Sequence, residues 1–166
     1  GFSIATDASY NFARMGFSDE DVKQGFLNYL RAHVAVLAAH HQTEDEVFFP
    51  QLQQCLPGVP YPELLAEHSD MVPFFDQIRL ALADLRVGRH VKESLEVLAY
   101  ALNKNREIWR PHIYKEEQHF SADALNAVLA ADQQAQLQQA MAAHSLQNAR
   151  PEALVLPFIL YNLAAA

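Results

Sequence analysis

His40-His41-Gln42-Thr43-Glu44-Asp45-Glu46-Val47-Phe48-Phe49-Pro50 is the stretch whose reading decides the fold. It lies near the end of a long run of helical periodicity. Residues four apart stand one above the other on a helix, so His40 and Glu44 share a face. An imidazole and a carboxylate stacked this way can hold one metal ion, or two ions that share the carboxylate. His112-Ile113-Tyr114-Lys115-Glu116 repeats the spacing far downstream, again in a helical context. A lone pair of this kind is commonly a surface hydrogen bond. Two pairs on separate helices, flanked by Leu and Phe, point to a site between helices.

The composition around this stretch suits such a bundle. The chain has 166 residues, enough for one domain with a full hydrophobic core. Hydrophobic residues make up 51%, which excludes a disordered chain. Gly is scarce while Ala, Leu and Gln abound, which favours helix over strand. The net charge of −8 without a Lys/Arg cluster argues against nucleic acid and anionic membrane as partners. Cys55 is the one cysteine, so neither an internal disulfide nor a thiolate-held zinc or iron–sulfur site can form within one chain. That usage fits a reducing cytoplasm, the expected location, and no signal peptide is visible. The longest apolar stretch, near Leu154 to Leu163, contains Pro157 and Asn162 and is too short to span a bilayer.

Taken in order, residues 2–17 predict a short first helix with Ile4, Ala8, Phe12 and Met15 on one stripe. Ser18 is the expected N-cap of the second helix, with acids in its first turn. That helix runs to the Cys55 region, with Phe26, Leu30, His33, Leu37, His40, Glu44 and Phe48 inward, and Pro50 kinks or ends it. A Pro- and Gly-rich loop precedes a third helix from about Pro62, carrying His68 and interrupted by Pro73. A fourth covers roughly Val91 to His119, with Trp109, His112 and Glu116 inward. Ser121 caps a fifth, Gln- and Ala-rich helix to about Gln147, and Pro151 opens a last one. The expected architecture is all-α: an antiparallel four-helix bundle over about residues 3–120 with a helical extension over 121–166, in a single domain.

In such a bundle, helices two, three and four direct His40 and Glu44, Glu67-His68, and His112 and Glu116 to one level. Three imidazoles and two carboxylates without a thiolate suit iron or manganese, with zinc possible. The remaining histidines have simpler readings. His33 is a core histidine two turns from His40, and His119 is remote. His90, His144 and the off-stripe His41 belong to the surface or, for His41, to the surroundings of the site. Asp45 and Glu117 are candidate acceptors for the outer nitrogens of the ligand imidazoles. Phe48, Phe49, Phe74, Phe75 and Trp109 read as core.

At His40-His41-x-x-Glu44-Asp45-Glu46-x-Phe48-Phe49-Pro50, Glu67-His68 and His112-Ile113-x-x-Glu116-Glu117 the chain resembles the hemerythrin-like, or HHE cation-binding, family over about residues 8–120. The resemblance implies a four-helix bundle with a non-haem, carboxylate-bridged di-iron centre. Its ligands by motif would be His40, Glu44, His68, His112 and Glu116. Members usually place a further His on the first helix, where this chain has Tyr10 in Ser9-Tyr10-Asn11-Phe12-Ala13-Arg14. Phenolate is a competent iron(III) ligand, so Tyr10 is the sixth candidate. A water-filled position or a single ion are the alternatives. Val72 stands one turn after His68, where a second His is absent.

Three functions stay open on this reading. One is a non-haem iron protein that binds or reacts with oxygen, nitric oxide or peroxide. Another is a di-iron oxidase or peroxidase of unknown substrate. The third is a metal or oxygen sensor acting through a partner.

Overall fold

A computed structural model describes residues 2–164 of the chain, with side chains described for 5–160. The described residues form helices and connecting turns. Helix α1 spans Phe2–Met15, α2 Glu20–Thr43, α4 Tyr61–Arg86 and α5 Val91–His119. A π-helical turn over Glu44–Phe48 joins α2 to the short α3, Phe49–Leu52. The extension contains α6 Ala122–Val128, α7 Ala131–Asn148 and α8 Glu152–Ala164.

Local chemistry accounts for the boundaries. Gly16, at φ 76°, takes the left-handed conformation that ends α1, and its N–H donates to the Phe12 carbonyl at 2.8 Å. Asp19, not the expected Ser18, caps α2: its carboxylate accepts from the Val22 N–H at 2.8 Å. The Ser18 hydroxyl donates to that carboxylate instead, at 3.0 Å. Ser121 caps a helix as expected, but that helix is α6 only. The single fifth helix of the sequence reading breaks at Leu129, which is extended, and resumes as α7.

Four elements share the main core. Leu30, Leu37, Phe75, Ile78, Leu98 and Leu102 from α2, α4 and α5 pack together, with Ala5 of α1 among them. Helix α5 lies along both α1 and α4, while α2 packs on α4, α7 and α8. A second apolar cluster, with Phe49, Leu52, Leu64 and Leu137, closes the bundle beyond the π turn. Burying these side chains contributes roughly 1.5–3 kcal/mol each, the main favourable term in the fold. No helix among the described residues is long and apolar enough to cross a membrane.

The inward stripe of α2 and the π turn departs from the expected one at three positions, each by one residue. Leu27, Leu30, Val34, Leu37, His41, Glu44 and Phe48 are buried, at alternating spacings of three and four. His41 therefore faces inward, and His40 stands at the edge with 37% of its side chain exposed. On α1, Met15 is 79% exposed, while Ala5 and Ser9 are buried.

Candidate metal centre

Three helical elements carry the site. Glu44 opens the π turn, in which the Glu44 carbonyl accepts from the Phe49 N–H, five residues on. Pro50 supplies a reason for this turn. In a regular helix its ring would strike the carbonyl of Glu46, and it has no N–H to donate. A widened turn accommodates the ring without ending the helix, so the expected kink or stop becomes a π bulge. The added residue also lets both Phe48 and Phe49 turn inward, at 9% and 1% exposure.

The structure brings Glu44, His68, His112 and Glu116 together, all buried, with ligand atoms within 4.8 Å of one another. His112 Nε2 lies 3.2 Å from Glu116 Oε1, and His68 Nε2 lies 3.6 Å from Glu44 Oε2. His40 stands beside this group, its Nε2 at 3.3 Å from Glu44 Oε2. A second, overlapping set joins His41 to His68 and His112. His41 stacks on His68 with ring centres 4.1 Å apart.

The outer nitrogens explain how the imidazoles are aimed. His68 Nδ1 lies 2.6 Å from Asp45 Oδ1, and His112 Nδ1 lies 3.0 Å from Glu67 Oε2. Glu67 is itself held by Lys115, which also meets Glu63. Carboxylates on the outer nitrogens fix ring orientation and turn both Nε2 atoms inward. Those two nitrogens are 3.0 Å apart. Two imidazole lone pairs cannot face each other at that distance unless a proton or a cation lies between them.

The carboxylates carry the same message. Glu44 Oε2 and Glu116 Oε1 are buried and lack a hydrogen-bond partner. Burial pushes the Glu44 carboxyl up to about 9, and the charges of Glu116 and Asp45 add to this. Burial holds His41 down at about 2, with His68 next among its causes. His40 is lowered mainly by burial, with Glu116 opposing. For His112 burial again acts downward, but Glu116 and Glu67 outweigh it and the net shift is upward. Without a cation, the surroundings favour the protonated forms of Glu44 and His112. A divalent ion would replace those protons, satisfy the orphaned oxygens and separate the facing nitrogens. The donor set therefore fits a metal.

Tyr10 requires a correction. It is 51% exposed, on the solvent side of α1. Phe12 packs against Phe17 and Phe26 with ring centres 4.5 and 5.0 Å away, which ties this end of α1 to the first turns of α2. His40 lies fourteen residues beyond Phe26, about 21 Å along the helix. Tyr10 thus sits at the wrong level as well as on the wrong face. His41, read from the sequence as peripheral, is 5% exposed and inside the cluster. Asp45 is an outer acceptor as expected, but Glu117 is exposed, and Glu67 serves His112 in its place. His33 is buried as expected, and burial lowers it to about 4. His144, expected at the surface, lies 3.0 Å from both Thr43 Oγ1 and Glu46 Oε2, so α7 touches the turn that carries Glu44. Nothing in the local sequence marks Glu67 or His144 for these roles, because their partners lie 45 and 98 residues away.

No curated protein and no solved structure matches the chain. The family model of the hemerythrin HHE cation binding domain matches residues 10–124, a span that includes the α2 and α5 His/Glu pairs and His68. The chain belongs to the hemerythrin HHE cation-binding family.

Proposed function

We propose that the cluster holds two iron ions bridged by Glu44 and Glu116 in an antiparallel four-helix bundle, and that this centre reacts with oxygen, nitric oxide or peroxide. One observation carries the reading: two buried carboxylates from different helices each aim an unpartnered oxygen at one pair of facing imidazoles. His40 on one side and His41 on the other extend the donor set to six. Nitrogen and oxygen donors without thiolate suit iron or manganese, with zinc as a further possibility. Iron held there by the His and Glu side chains would supply the electrons for reaction with a small oxidant.

The surrounding residues set the conditions. Asp45 and Glu67 hold the rings of His68 and His112 in position. Phe49, Phe75 and Trp109 form apolar walls that limit water around the cluster. Beside Val72 a cavity of about 190 Å³ reaches His41, His68 and Asp45 from the surface. This mouth admits a small ligand, and it admits water as well. Reversible oxygen carriage needs a pocket that excludes water, so the reading favoured is one-way reaction, as in an oxidase or peroxidase. No residue of the cluster names an organic substrate.

Metal analysis of protein purified without chelators tests the ion, with about two irons per chain expected. Reduced protein is then exposed to oxygen in a stopped-flow cell and flushed with argon. Lasting oxidation, or turnover of peroxide with a reducing dye, is the expected result. Full recovery of the reduced spectrum over repeated cycles would restore the carrier reading. A sensor is the second reading, favoured by the His144 contacts, which link the C-terminal extension to the ligand-bearing turn.

A further inference from the structure

A cavity of about 390 Å³ lies between α2 and α4, bordered on a third side by the turn from α7 to α8. Leu27, Val34 and Leu82 give it an apolar lining. Arg31, Arg79, Arg86 and Arg150 also line it. They are four of the chain's twelve Lys and Arg residues, and among the described residues no Asp or Glu lines the cavity although the chain has twenty. In a protein of net charge −8, this is a local reversal of sign. Arg79 pairs with Asp76 at 2.8 Å, and Arg150 pairs with Glu152. Among the described residues Arg31 and Arg86 have no such partner. A guanidinium cannot shed its charge by deprotonation, so two uncompensated cations remain at an apolar surface.

A smaller cavity adjoins this one. Ala38 and Arg79 line both, and the smaller space ends on His41 and His68 beside Val72 and Phe75. Arg31 precedes His41 by about 15 Å along α2. Together the two cavities place a cationic, apolar-lined section at one end and the His/Glu cluster at the other.

We propose that this groove binds an amphiphilic carboxylate, its head at Arg31 and Arg86 and its apolar chain running between α2 and α4 toward His41 and His68. The paired donors of a guanidinium match a carboxylate. Covering Leu27, Val34 and Leu82 removes apolar surface from water, which an inorganic anion cannot do. The volume lies in the range of small-molecule sites. The inference supplies the organic ligand that the oxidase reading lacks. It rests on the cavity rather than on iron chemistry, so its failure would leave the metal reading standing.

The test is calorimetric titration of the metal-loaded full chain with sodium dodecanoate below its micellar range. Saturable binding of one molecule per chain is expected. Arg31→Gln combined with Arg86→Gln weakens it at least about tenfold. Ala83→Trp fills the exposed rim of the groove and abolishes binding with both arginines intact, while an unchanged thermal melt reports an intact fold. Dodecanol, with the same chain and no charge, binds far more weakly, and inorganic phosphate does not compete. Trp109 is the single tryptophan and lies 5.7 Å from His41 between ring centres, so it reports the chain's direction. A dodecanoate brominated at its far end quenches Trp109 more than one brominated beside the carboxylate. Absence of saturable binding, equal binding by the double Arg variant, displacement by phosphate, or equal quenching by the two bromides overturns the proposal.

Discussion

Leu27, Leu30, Val34 and Leu37 occupy the first half of one buried stripe on α2, and His41 and Glu44 occupy the second. Both halves sit in the same bundle, at similar exposure, against the same α4 and α5. In the first half the four stripe residues are apolar and burial itself stabilises them, with the buried imidazole of His33 beside them. In the second, a carboxyl is pushed up to about 9, an imidazole is held down at about 2, and two buried oxygens lack partners. Burial there costs free energy until a cation restores it. The apolar half is stabilised by burial alone, and the His/Glu half is stabilised when a cation binds.

Exchanging the conditions should separate the halves most strongly. Leu30→Ala, at a site with 0% exposure, should cost about 2–5 kcal/mol with or without metal. Glu44→Ala or His112→Ala should empty most of the site and remove the metal's contribution, about 4 kcal/mol when free metal stands at a thousandfold its dissociation constant. Once the metal is stripped, Glu44→Ala should cost far less than Leu30→Ala. Melting curves with and without chelator, with metal analysis of each variant, measure this. Equal losses in both conditions for both variants would erase the distinction between halves.

The outer carboxylates give the next effect. Asp45→Asn and Glu67→Gln leave the inward donors in place but release the rings of His68 and His112. Metal affinity should fall about 10–100-fold, read by competition with a chromophoric chelator. Unchanged affinity in both would make these carboxylates bystanders.

A smaller, graded effect is expected with pH in stripped protein. Glu44 rises from 4.5 unfolded to about 9 folded, so its contribution is present below pH 4.5 and is lost as pH climbs toward 9. His112 is also raised and acts in the same direction. His41 is lowered from 6.5 to about 2, so its contribution is complete above 6.5 and is lost on acidification. Between pH 6.5 and 9 the raised groups dominate, and stability should fall by at most about 1.4 kcal/mol per unit for each. Glu44→Gln should flatten that slope in denaturant titrations, and metal affinity should rise with pH as protons are displaced. A slope unchanged by Glu44→Gln would locate the titration elsewhere.

Smallest of all, Tyr10→Phe should alter stability by no more than about 0.5 kcal/mol and leave metal content and visible spectrum unchanged. A lost charge-transfer band in this variant would return Tyr10 to the centre against its 51% exposure.

The amino-acid sequence by itself determined the helical class, the single metal-type constellation and the pairing of His with Glu at helical spacing. Those properties are local: a separation of four residues places two side chains on one face wherever the helix goes. It also held, unread, the phase that buries His41, since Leu27, Leu30, Val34 and Leu37 lead to 41 and 44 by steps of three and four. His33 and His40 drew the expected stripe one residue aside. Only the tertiary structure decided which residues meet across helices. Glu67 reaches His112, α7 delivers His144 to the π turn, and Tyr10 is left near the Phe12–Phe26 end of the bundle. These depend on the level at which helices align and on the rotation of each about its axis. Both are fixed by packing of the whole core, which no short stretch of sequence contains.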